Sequence, residues 1–263
     1  MEAVSPVETP PTDVCPVCSG TGWKIVEREE VSGAVRCECA AVGRADRIEA
    51  GADLPPLYAG SSFENFLLPR ENPVAYRELT EVFLAVRGYA REFPNQKQPG
   101  LLLMGEPGTG KTHLAVAAFR AIMAKGFEGT FFEYQSLLNR IRSGYDANSN
   151  SSDKEAYHEA LDAEVLLLDD LGAQRVTDWV EDTVTSIITS RCNRRMPLIA
   201  TTNLIDPEMG YVTYERNAGG KVDYRTTLTE RIGPRARSRL FEMCRVIKMP
   251  LVQDFRLRKQ GGQ

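Results

Sequence analysis

The chain has 263 residues, of which 42% are hydrophobic and 26% are charged, and its formal net charge is -4 at pH 7. This composition can bury a core, which excludes a disordered protein, and the slight acidity means that any nucleic-acid contact needs a local basic patch. No apolar run reaches the roughly 18 residues that span a bilayer, and the first residues lack the regions of a signal peptide, so we expect a cytoplasmic protein with no membrane partner.

Four of the six cysteines lie close together near the N-terminus: Cys15, Cys18, Cys37 and Cys39. In a cytoplasmic chain, clustered cysteines are more typical of metal binding than of disulfides. A C-x2-C pair and a C-x-C pair on either side of a short predicted hairpin supply four thiolates for a closed, structural Zn²⁺ site. Because C-x-C is the less common spacing, an iron–sulfur cluster and unligated thiols remain alternatives. Cys192 and Cys244 stand alone, and we predict that they pack in the core.

We predict two parts: an N-terminal tail, cysteine-rich module and linker over residues 1–54, and a larger domain over residues 55–263. In the larger domain, apolar side chains at three- and four-residue steps predict a core-facing helix over residues 73–93. The side chains in this pattern are Tyr76, Leu79, Val82, Phe83, Val86 and Tyr89.

The most informative stretch is residues 101–112, where an apolar run and a glycine-rich turn lead into a helix-period run over 114–123. The turn matches G-x-x-x-x-G-K-[ST] in full. Its residues are Gly105, Glu106, Pro107, Gly108, Thr109, Gly110, Lys111 and Thr112. The glycines allow backbone N–H groups to point at phosphate oxygens, and the helix N-terminus adds its positive end. We therefore predict that Lys111 reaches the β- and γ-phosphates and that Thr112 binds Mg²⁺, with an empty glycine-rich turn as the alternative. The aromatic stretch at residues 63–66 is a candidate wall of an adenine pocket.

A second apolar run ends in two carboxylates, Asp169 and Asp170, and a third ends in Asn203. In a parallel sheet these side chains emerge at the carboxyl edge, where the glycine-rich turn also lies. Asp169 would hold Mg²⁺ directly or through water, and Asp170 would polarise an attacking water. Asn203 could orient that water or the γ-phosphate. Ordinary acidic turn residues and a turn-forming asparagine are the alternatives.

Further elements follow the same patterns along the chain. They are a strand over 130–134, a helix over 137–145, a polar loop over 146–153, helices over 154–162 and 177–193, a projecting hairpin or disordered insert over 211–227, a basic helix over 228–240 and a strand over 245–249. No N-K-x-D motif follows, which argues against a guanine nucleotide. No lid or acceptor pocket of a small-molecule kinase is visible.

This order of elements resembles that of the AAA+ ATPases. In detail the chain is similar to the bacterial replicative helicase loaders of the DnaC/DnaI type, with the IstB-type transposition helper ATPases as relatives, over residues 63–256. The motifs that carry the resemblance are residues 105–113, which end in His113, together with Leu168-Asp169-Asp170-Leu171-Gly172, Thr201-Thr202-Asn203-Leu204, Ser238-Arg239-Leu240 and Asp254-Phe255-Arg256. The cysteine-rich N-terminus resembles small modules on many loader-like ATPases.

The resemblance implies an α/β P-loop fold with a five-stranded parallel sheet in the order 5-1-4-3-2, a vestigial C-terminal lid and a small zinc-knuckle module. It also implies that residues 105–113 bind ATP, that Asp169 is the Walker B residue for Mg²⁺, and that Asp170 replaces the usual catalytic glutamate.

Three further roles are implied by the same resemblance. Asn203 would be sensor 1, Arg239 the arginine finger that reaches the γ-phosphate of a neighbouring subunit, and Arg256 a sensor-2-like residue. Because residues 211–227 lengthen the segment before the finger, Arg237 and Arg235 are alternatives. The shorter acid at Asp170 favours slow, switch-like hydrolysis, and the short lid leaves nucleotide sensing to the subunit interface.

These features leave three functional hypotheses. In the first, a helicase loader grips a hexameric replicative helicase through its N-terminal module, assembles in a ring or spiral, and takes single-stranded DNA, with residues 137–161 as the implied contact region. In the second, a transposition helper acts on duplex DNA. In the third, an adaptor uses the nucleotide only as a structural switch.

Overall fold

The computed structural model describes residues 16–19, 23–28, 31–36, 49–144, 151–212, 214–216, 222–252 and 254–255. The chain divides into two compact units, Met1–Arg47 and Ile48–Gln263, compared with the predicted division after residue 54. Residues just beyond this division already pack in the larger unit, because Ala52 is buried and its carbonyl accepts the N–H of Phe131 at 2.9 Å. No helix among the described residues is both long and apolar enough to cross a membrane.

The smaller unit contains an antiparallel hairpin of β1 (Trp23–Arg28) and β2 (Val31–Arg36). Its register pairs Trp23 with Arg36, so the start of β1 lies beside the end of β2. Cys18 is buried, whereas Cys15, Cys37 and Cys39 lie outside the described residues. The two cysteine pairs are therefore attached, in sequence, to the same end of the hairpin.

The larger unit is built on strands whose residues are mostly apolar and buried. In chain order they are β3 (Gly100–Met104), β4 (Gly129–Glu133), β5 (Val165–Asp169), β6 (Leu198–Thr202), β7 (Tyr214–Arg216), β8 (Val222–Tyr224) and β9 (Cys244–Lys248). Five of them form one parallel sheet in the order β4-β5-β6-β3-β9, and β7 and β8 pair as a separate antiparallel hairpin. Central strands β3, β5 and β6 are buried along their whole length, as expected for a parallel sheet covered on both faces.

The predicted order 5-1-4-3-2 counts only the strands of this sheet. The strand labels used here differ from that numbering, because β1 and β2 come before the sheet in sequence and β7 and β8 come between two of its strands. Numbered within the sheet and read from the β9 edge, the strands run 5-1-4-3-2. Strand β3, which leads into the glycine-rich turn, therefore lies between β6 and β9.

Seven helices cover this sheet in the described part of the chain. They are α1 (Pro73–Glu92), α2 (Lys111–Met123), α3 (Tyr134–Ser143), α4 (Ser151–Asp162), α5 (Asp178–Asn193), α6 (Leu228–Ile232) and α7 (Pro234–Met243). Alternate residues of β3 face two separate cores. Leu101 and Leu103 pack with α1 and α2, whereas Leu102 and Met104 pack with the helices from α3 to α7.

Two helix boundaries differ from the prediction. Helix α3 begins at Tyr134 rather than at residue 137, because the Glu133 carboxylate accepts the N–H groups of Gln135 and Ser136 at 3.0 and 2.8 Å and caps the helix. Helix α4 begins at Ser151, inside the predicted loop, since serine and aspartate are as typical of a first helical turn as of a loop.

The predicted basic helix over residues 228–240 is two helices, α6 and α7. Gly233 separates them with a φ of 80°, and Pro234 starts the second helix at a position where its missing N–H costs nothing. On α1, the prediction that Tyr76 faces the core was wrong, because that side chain is 40% exposed and Ala75 is buried instead. Cys244 is fully buried and Cys192 packs against the core, as predicted for both.

Candidate functional site

The glycine-rich turn connects β3 to α2 and needs glycine at specific positions. Gly108 and Gly110 have φ values of 74° and 92°, in the left-handed region that favours glycine. A Cβ atom on Gly110 would lie 2.7 Å from the Phe66 ring, and one on Gly108 would lie 2.0 Å from the carboxyl carbon of Asp254. The chain can therefore adopt this turn, with its backbone N–H groups near the start of α2, only because these residues lack side chains.

The turn closes on the backbone carbonyl of Glu106. Lys111 Nζ donates to this oxygen at 2.8 Å, and the Thr109 hydroxyl donates to it at the same distance. Lys111 is only 5% exposed, which is unusual for a lysine. Its ammonium group is thus held inside the turn, where an anion that entered the cleft would meet a buried cation.

Asp169 lies at the end of β5, against the start of α2. Its Oδ1 accepts the Thr112 hydroxyl at 2.9 Å and the Thr201 hydroxyl at 2.6 Å. Burial raises the pKa of Asp169. The Thr201 hydrogen bond partly offsets this rise, and the neighbouring charge of Asp170 adds to it. A hydroxyl and a carboxylate in contact are the hard oxygen ligands that Mg²⁺ prefers, so these two side chains fit the predicted cation.

Asp170 and Asn203 meet at the same edge of the sheet. The Asn203 side-chain amide donates to Asp170 Oδ1 at 3.1 Å, and the Asp170 backbone N–H donates to the Thr201 hydroxyl at 3.0 Å. Asp170 has a φ of 53°, a conformation that aspartate tolerates better than most residues and that is frequent at functional sites. Thr201 was noted only as part of a sequence motif and had no predicted role, yet its hydroxyl joins the two acids. Its position in the polar end of a buried strand was the available signal.

The turn, Asp170 and Asn203 line one cleft of about 890 Å³, and Asp169 adjoins it through the Thr112 hydroxyl. The cleft wall contains the turn from Pro107 to His113, together with Asp170, Asn203, Phe66 and Phe255. It also contains residues that the sequence did not single out: Leu57, Tyr58, Leu67 and Val252. Of the predicted aromatic stretch, Phe66 lines the cleft, whereas Phe63 packs edge-on against Phe83 at 5.7 Å between ring centroids. The cleft combines a polar, glycine-rich floor with an apolar rim.

Two contacts fix this rim. The His113 ring lies within hydrogen-bonding distance of the Ser62 carbonyl, 2.9 Å from Nε2, and packs edge-on against Phe66 at 5.3 Å between centroids. On the other side, the Phe255 N–H donates to the Gly108 carbonyl at 3.1 Å. The C-terminal segment therefore lies directly on the glycine-rich turn. Arg256, the next residue, lies outside the described part of the chain.

The α7 arginines lie apart from this cleft. Arg239 is 45% exposed and pairs with Glu242 on its own helix at 2.7 Å. Arg237 instead donates to both carboxylate oxygens of Asp206 at 2.8 Å, and this pairing raises its pKa. Of the described residues that line the cleft, none is Arg235, Arg237 or Arg239. Arg237 is held in a structural ion pair, whereas Arg235 and Arg239 are exposed.

Replacing Asp169 by asparagine is expected to leave the ligand-free protein at least as stable as the wild type. The folded-state pKa of this carboxyl is raised, so its favourable contribution exists only at acidic pH and is lost as pH rises through that pKa. At pH 7 the buried charge is a cost, and its removal should stabilise the fold by on the order of 1 kcal/mol. The same change should abolish the rise in melting temperature that ATP with Mg²⁺ produces.

Thermal unfolding at pH 7, with and without ATP and Mg²⁺, checks both effects. Asp182→Asn, which removes an exposed carboxylate on α5, is the matched control. A nucleotide-induced shift that survives in Asp169→Asn would remove this residue from the metal site.

Among the described residues, no group of three or more histidine, cysteine or acidic side chains could hold a metal ion. For the predicted Zn²⁺ site, Cys18 is the one cysteine of the four within the described ranges. The hairpin register, in which Trp23 pairs with Arg36, bears on this site. In sequence, both cysteine pairs adjoin this end of the hairpin. Four thiolates attached there would suit Zn²⁺.

Comparisons with known proteins identify what this chain is similar to. A family model for IstB-like ATP binding proteins matches residues 89–213. The replicative helicase loader DnaC of Buchnera aphidicola (subspecies Baizongia pistaciae) is 25% identical over 158 residues, which are 60% of this chain and 61% of that protein. The replicative helicase loader DnaC of Escherichia coli K12 is 23% identical over 202 residues, covering 74% of this chain and 78% of that protein.

A solved structure of a DnaC helicase loader superimposes with a TM-score of 0.58 at 28% identity, over 74% of this chain and 100% of that chain. The chain matches less than two thirds of the length of the Buchnera relative. The predicted resemblance to AAA+ proteins of the DnaC type, with IstB as a relative, is confirmed.

Proposed function

We propose that this chain, an AAA+-type protein similar to the DnaC helicase loaders, is an ATP-dependent loader of a replicative DNA helicase. One observation carries the proposal. The glycine-rich turn, the acids Asp169 and Asp170 at the carboxyl end of β5, and Asn203 line or adjoin one cleft. The part of the chain that forms this cleft is similar to helicase loaders. The resemblance supports the loader role, and the cleft supports its dependence on ATP.

The triphosphate would bind along residues 105–113. The backbone N–H groups and the buried ammonium of Lys111 would neutralise its charge, and Lys111 would exchange the Glu106 carbonyl for phosphate oxygens. Thr112 and Asp169 would hold Mg²⁺, whose chemistry there is to neutralise charge on the phosphate oxygens. The adenine would lie against the apolar rim formed by Phe66 and Phe255.

Hydrolysis needs a polarised water rather than covalent chemistry from the protein. Asp170 would accept a proton from that water, and Asn203, whose amide already donates to Asp170, would orient the pair. Arg256 would supply a further cation from the C-terminal segment, which Phe255 anchors to the turn. Because aspartate is one methylene shorter than glutamate, we expect slow turnover that depends on a partner.

The positions of the arginines favour a site shared between subunits. Arg239 is exposed on α7 and does not line the cleft of its own chain. As an arginine finger it would act on the nucleotide of a neighbouring copy in a ring or spiral. Its ion pair with Glu242 is exposed and costs little to break.

Mixing two inactive variants is expected to restore part of the ATPase activity. Arg239→Ala keeps an intact cleft but loses the finger, and Lys111→Ala keeps the finger but loses the cleft. In mixed assemblies some interfaces pair an intact cleft with an intact finger, so up to about a quarter of the wild-type phosphate release should return. Arg235→Ala mixed with Lys111→Ala is the control, and a mixture with no activity above its components would argue against Arg239 in trans.

Single-stranded DNA would meet helices α3 and α4, which span the implied contact region at residues 137–161. Two arginines of α3 are held over aromatic rings: Arg140 lies 5.2 Å from the Phe132 centroid, and Arg142 lies 4.7 Å from that of Trp179. Arg140 also pairs with Glu159 at 3.8 Å, and a phosphate would have to replace this partly exposed carboxylate. The ring beneath Arg142 holds its guanidinium plane in place, which suits phosphate recognition.

The N-terminal unit would hold Zn²⁺ through Cys15, Cys18, Cys37 and Cys39 and bind the hexameric helicase in the cytoplasm. The test is capture of the purified helicase from the same genome by the full-length chain. We expect capture by the wild type, and its loss together with bound zinc when Cys15 and Cys18 are both changed to serine. A wild type that captures no helicase with ATP and Mg²⁺ present would contradict the loader function.

A transposition helper is the second candidate, because the matching family model describes IstB-like ATP binding proteins and covers the cleft-forming residues from 89 to 213. Tighter ATP-dependent assembly on duplex DNA than on single-stranded DNA would favour it over the loader.

A further inference from the structure

An ion pair that the sequence does not predict joins the hairpin of β7 and β8 to the glycine-rich turn at residues 105–112, which is called the P-loop from here on. The Arg225 guanidinium, just after β8, donates to the Glu106 carboxylate, although the two residues are 119 positions apart. The side chains are only 28% and 33% exposed. Glu106 is the second residue of the P-loop, so this pair ties the hairpin to the loop that holds the phosphates.

The other end of the hairpin is attached to the same place. The Tyr211 hydroxyl donates to the carbonyl of Met104, the last residue before the loop, at 3.1 Å. Lys248 Nζ lies 4.1 Å from the centroid of the Tyr211 ring. Burial, reinforced by the Glu106 charge, raises the pKa of Tyr211 to about 12, so its hydroxyl keeps the donated proton at neutral pH. Both flanks of the hairpin therefore contact the start of the P-loop.

The base of the hairpin is also fixed to the body of the domain. Ile205 and Thr227 form a parallel bridge, and the Leu228 N–H donates to the Ile205 carbonyl at 2.8 Å. Before the hairpin, Asp206 is held by Arg237. Arg225 thus reaches Glu106 from a base that a bridge, a hydrogen bond and an ion pair hold to the domain.

Glu106 links this pair to the phosphate-binding lysine. Its carbonyl accepts the ammonium of Lys111 and the hydroxyl of Thr109, while its carboxylate accepts Arg225. Any rotation of the Glu106 peptide would move the oxygen on which Lys111 rests. A restraint on the Glu106 side chain is therefore a restraint on the resting position of Lys111.

We propose that Arg225 is a positioning residue for the nucleotide site, which acts through Glu106 to hold the P-loop in the shape that receives ATP. The inference rests on the proposed function only through ATP binding by this cleft. Arg225 is not among the described residues that line the cleft, so its loss should weaken nucleotide binding and leave the hydrolytic step nearly unchanged. A change in the position of the hairpin would therefore change the shape of the P-loop.

A double-mutant cycle on ATP affinity tests this role. Arg225→Gln and Glu106→Gln should each raise the Kd for a fluorescent ATP analogue with Mg²⁺ by about five-fold, and the double variant should match either single variant. The kcat for ATP should stay within about two-fold while KM rises with Kd. Arg225→Lys should recover part of the affinity, because lysine keeps the charge but not the planar guanidinium. Arg245→Gln, which removes an exposed arginine from β9, is the control and should bind as the wild type does.

Three results would overturn the proposal. Wild-type affinity in Arg225→Gln would show that the pair is not used, and independent effects that multiply in the double variant would show that the two residues do not act together. Opposite effects, with weaker binding in Arg225→Gln and tighter binding in Glu106→Gln, would indicate long-range charge alone. Thermal midpoints without nucleotide show whether each variant is folded.

The outcome separates this role from the loader function. An intact cycle without helicase capture would overturn the loader function and leave the role of Arg225 standing. Helicase capture without coupling between Arg225 and Glu106 would overturn the positioning role alone, and a wild type that binds no ATP would overturn both.

Discussion

Replacing Lys111 by alanine is expected to lower ATP hydrolysis by more than about 100-fold and to abolish detectable ATP binding. This lysine is almost fully buried, and its ammonium is held at the floor of the cleft on the Glu106 carbonyl. Alanine removes the buried cation that, among the described residues of the cleft wall, would meet the entering phosphates. Phosphate release and the binding of a fluorescent ATP analogue measure the two effects.

The matched control for Lys111→Ala is Lys97→Ala, which removes an exposed lysine that is not among the described residues lining the cleft. It should bind and hydrolyse ATP as the wild type does. Residual hydrolysis in Lys111→Ala above about a tenth of the wild-type rate would mean that the phosphates bind elsewhere.

Replacing Asp170 by asparagine is expected to separate hydrolysis from binding. Asparagine keeps the shape, tolerates the φ of 53° at this position and can still accept the Asn203 amide. It cannot take a proton from water, so phosphate release should fall by about 100-fold or more, while the Kd for ATP stays within about three-fold.

Single-turnover phosphate release and equilibrium ATP binding distinguish these two quantities, with Asp182→Asn again as the control for an exposed carboxylate on α5. Unchanged phosphate release in Asp170→Asn would exclude this residue as the base. If the wild type itself shows no turnover with any partner, the adaptor function replaces the enzyme.

The parts of the fold that follow from local pattern were predicted well. The apolar runs before Asp169 and Asn203 are buried strands, and their polar ends meet at the carboxyl edge of the sheet, because parallel strands leave no other place for them. Thr177, the first residue of the predicted helix over 177–193, caps α5 by accepting the Val180 N–H, because threonine is a favoured N-cap residue. The order of the strands came from the resemblance to AAA+ ATPases, because periodicity predicts strands but not their order in a sheet.

Other features depended on contacts between distant residues and could not be predicted. Nothing local in Glu106 marks it as the partner of Arg225, since the pair exists only once the hairpin folds back on the P-loop. Phe255 was noted only as part of a motif, yet its N–H binds the P-loop carbonyl of Gly108. The break at Gly233 was missed because the basic pattern on both sides continued through it.

The different environments of Arg237 and Arg239 also depend on a contact between distant residues. Both belong to one basic run in sequence, and either fitted the finger. In the structure Asp206 holds Arg237 in a two-pronged ion pair, which leaves Arg239 exposed with a weak partner on its own helix. The acid that decides between them lies 31 positions from Arg237.

The most direct test of the loader account is the rate of phosphate release by the full-length chain with single-stranded DNA, compared with duplex DNA of the same sequence. The account predicts that single-stranded DNA raises the rate, that duplex DNA does so much less, and that Lys111→Ala shows no release with either. A wild-type rate that single-stranded DNA leaves unchanged, or that only duplex DNA raises, would contradict it.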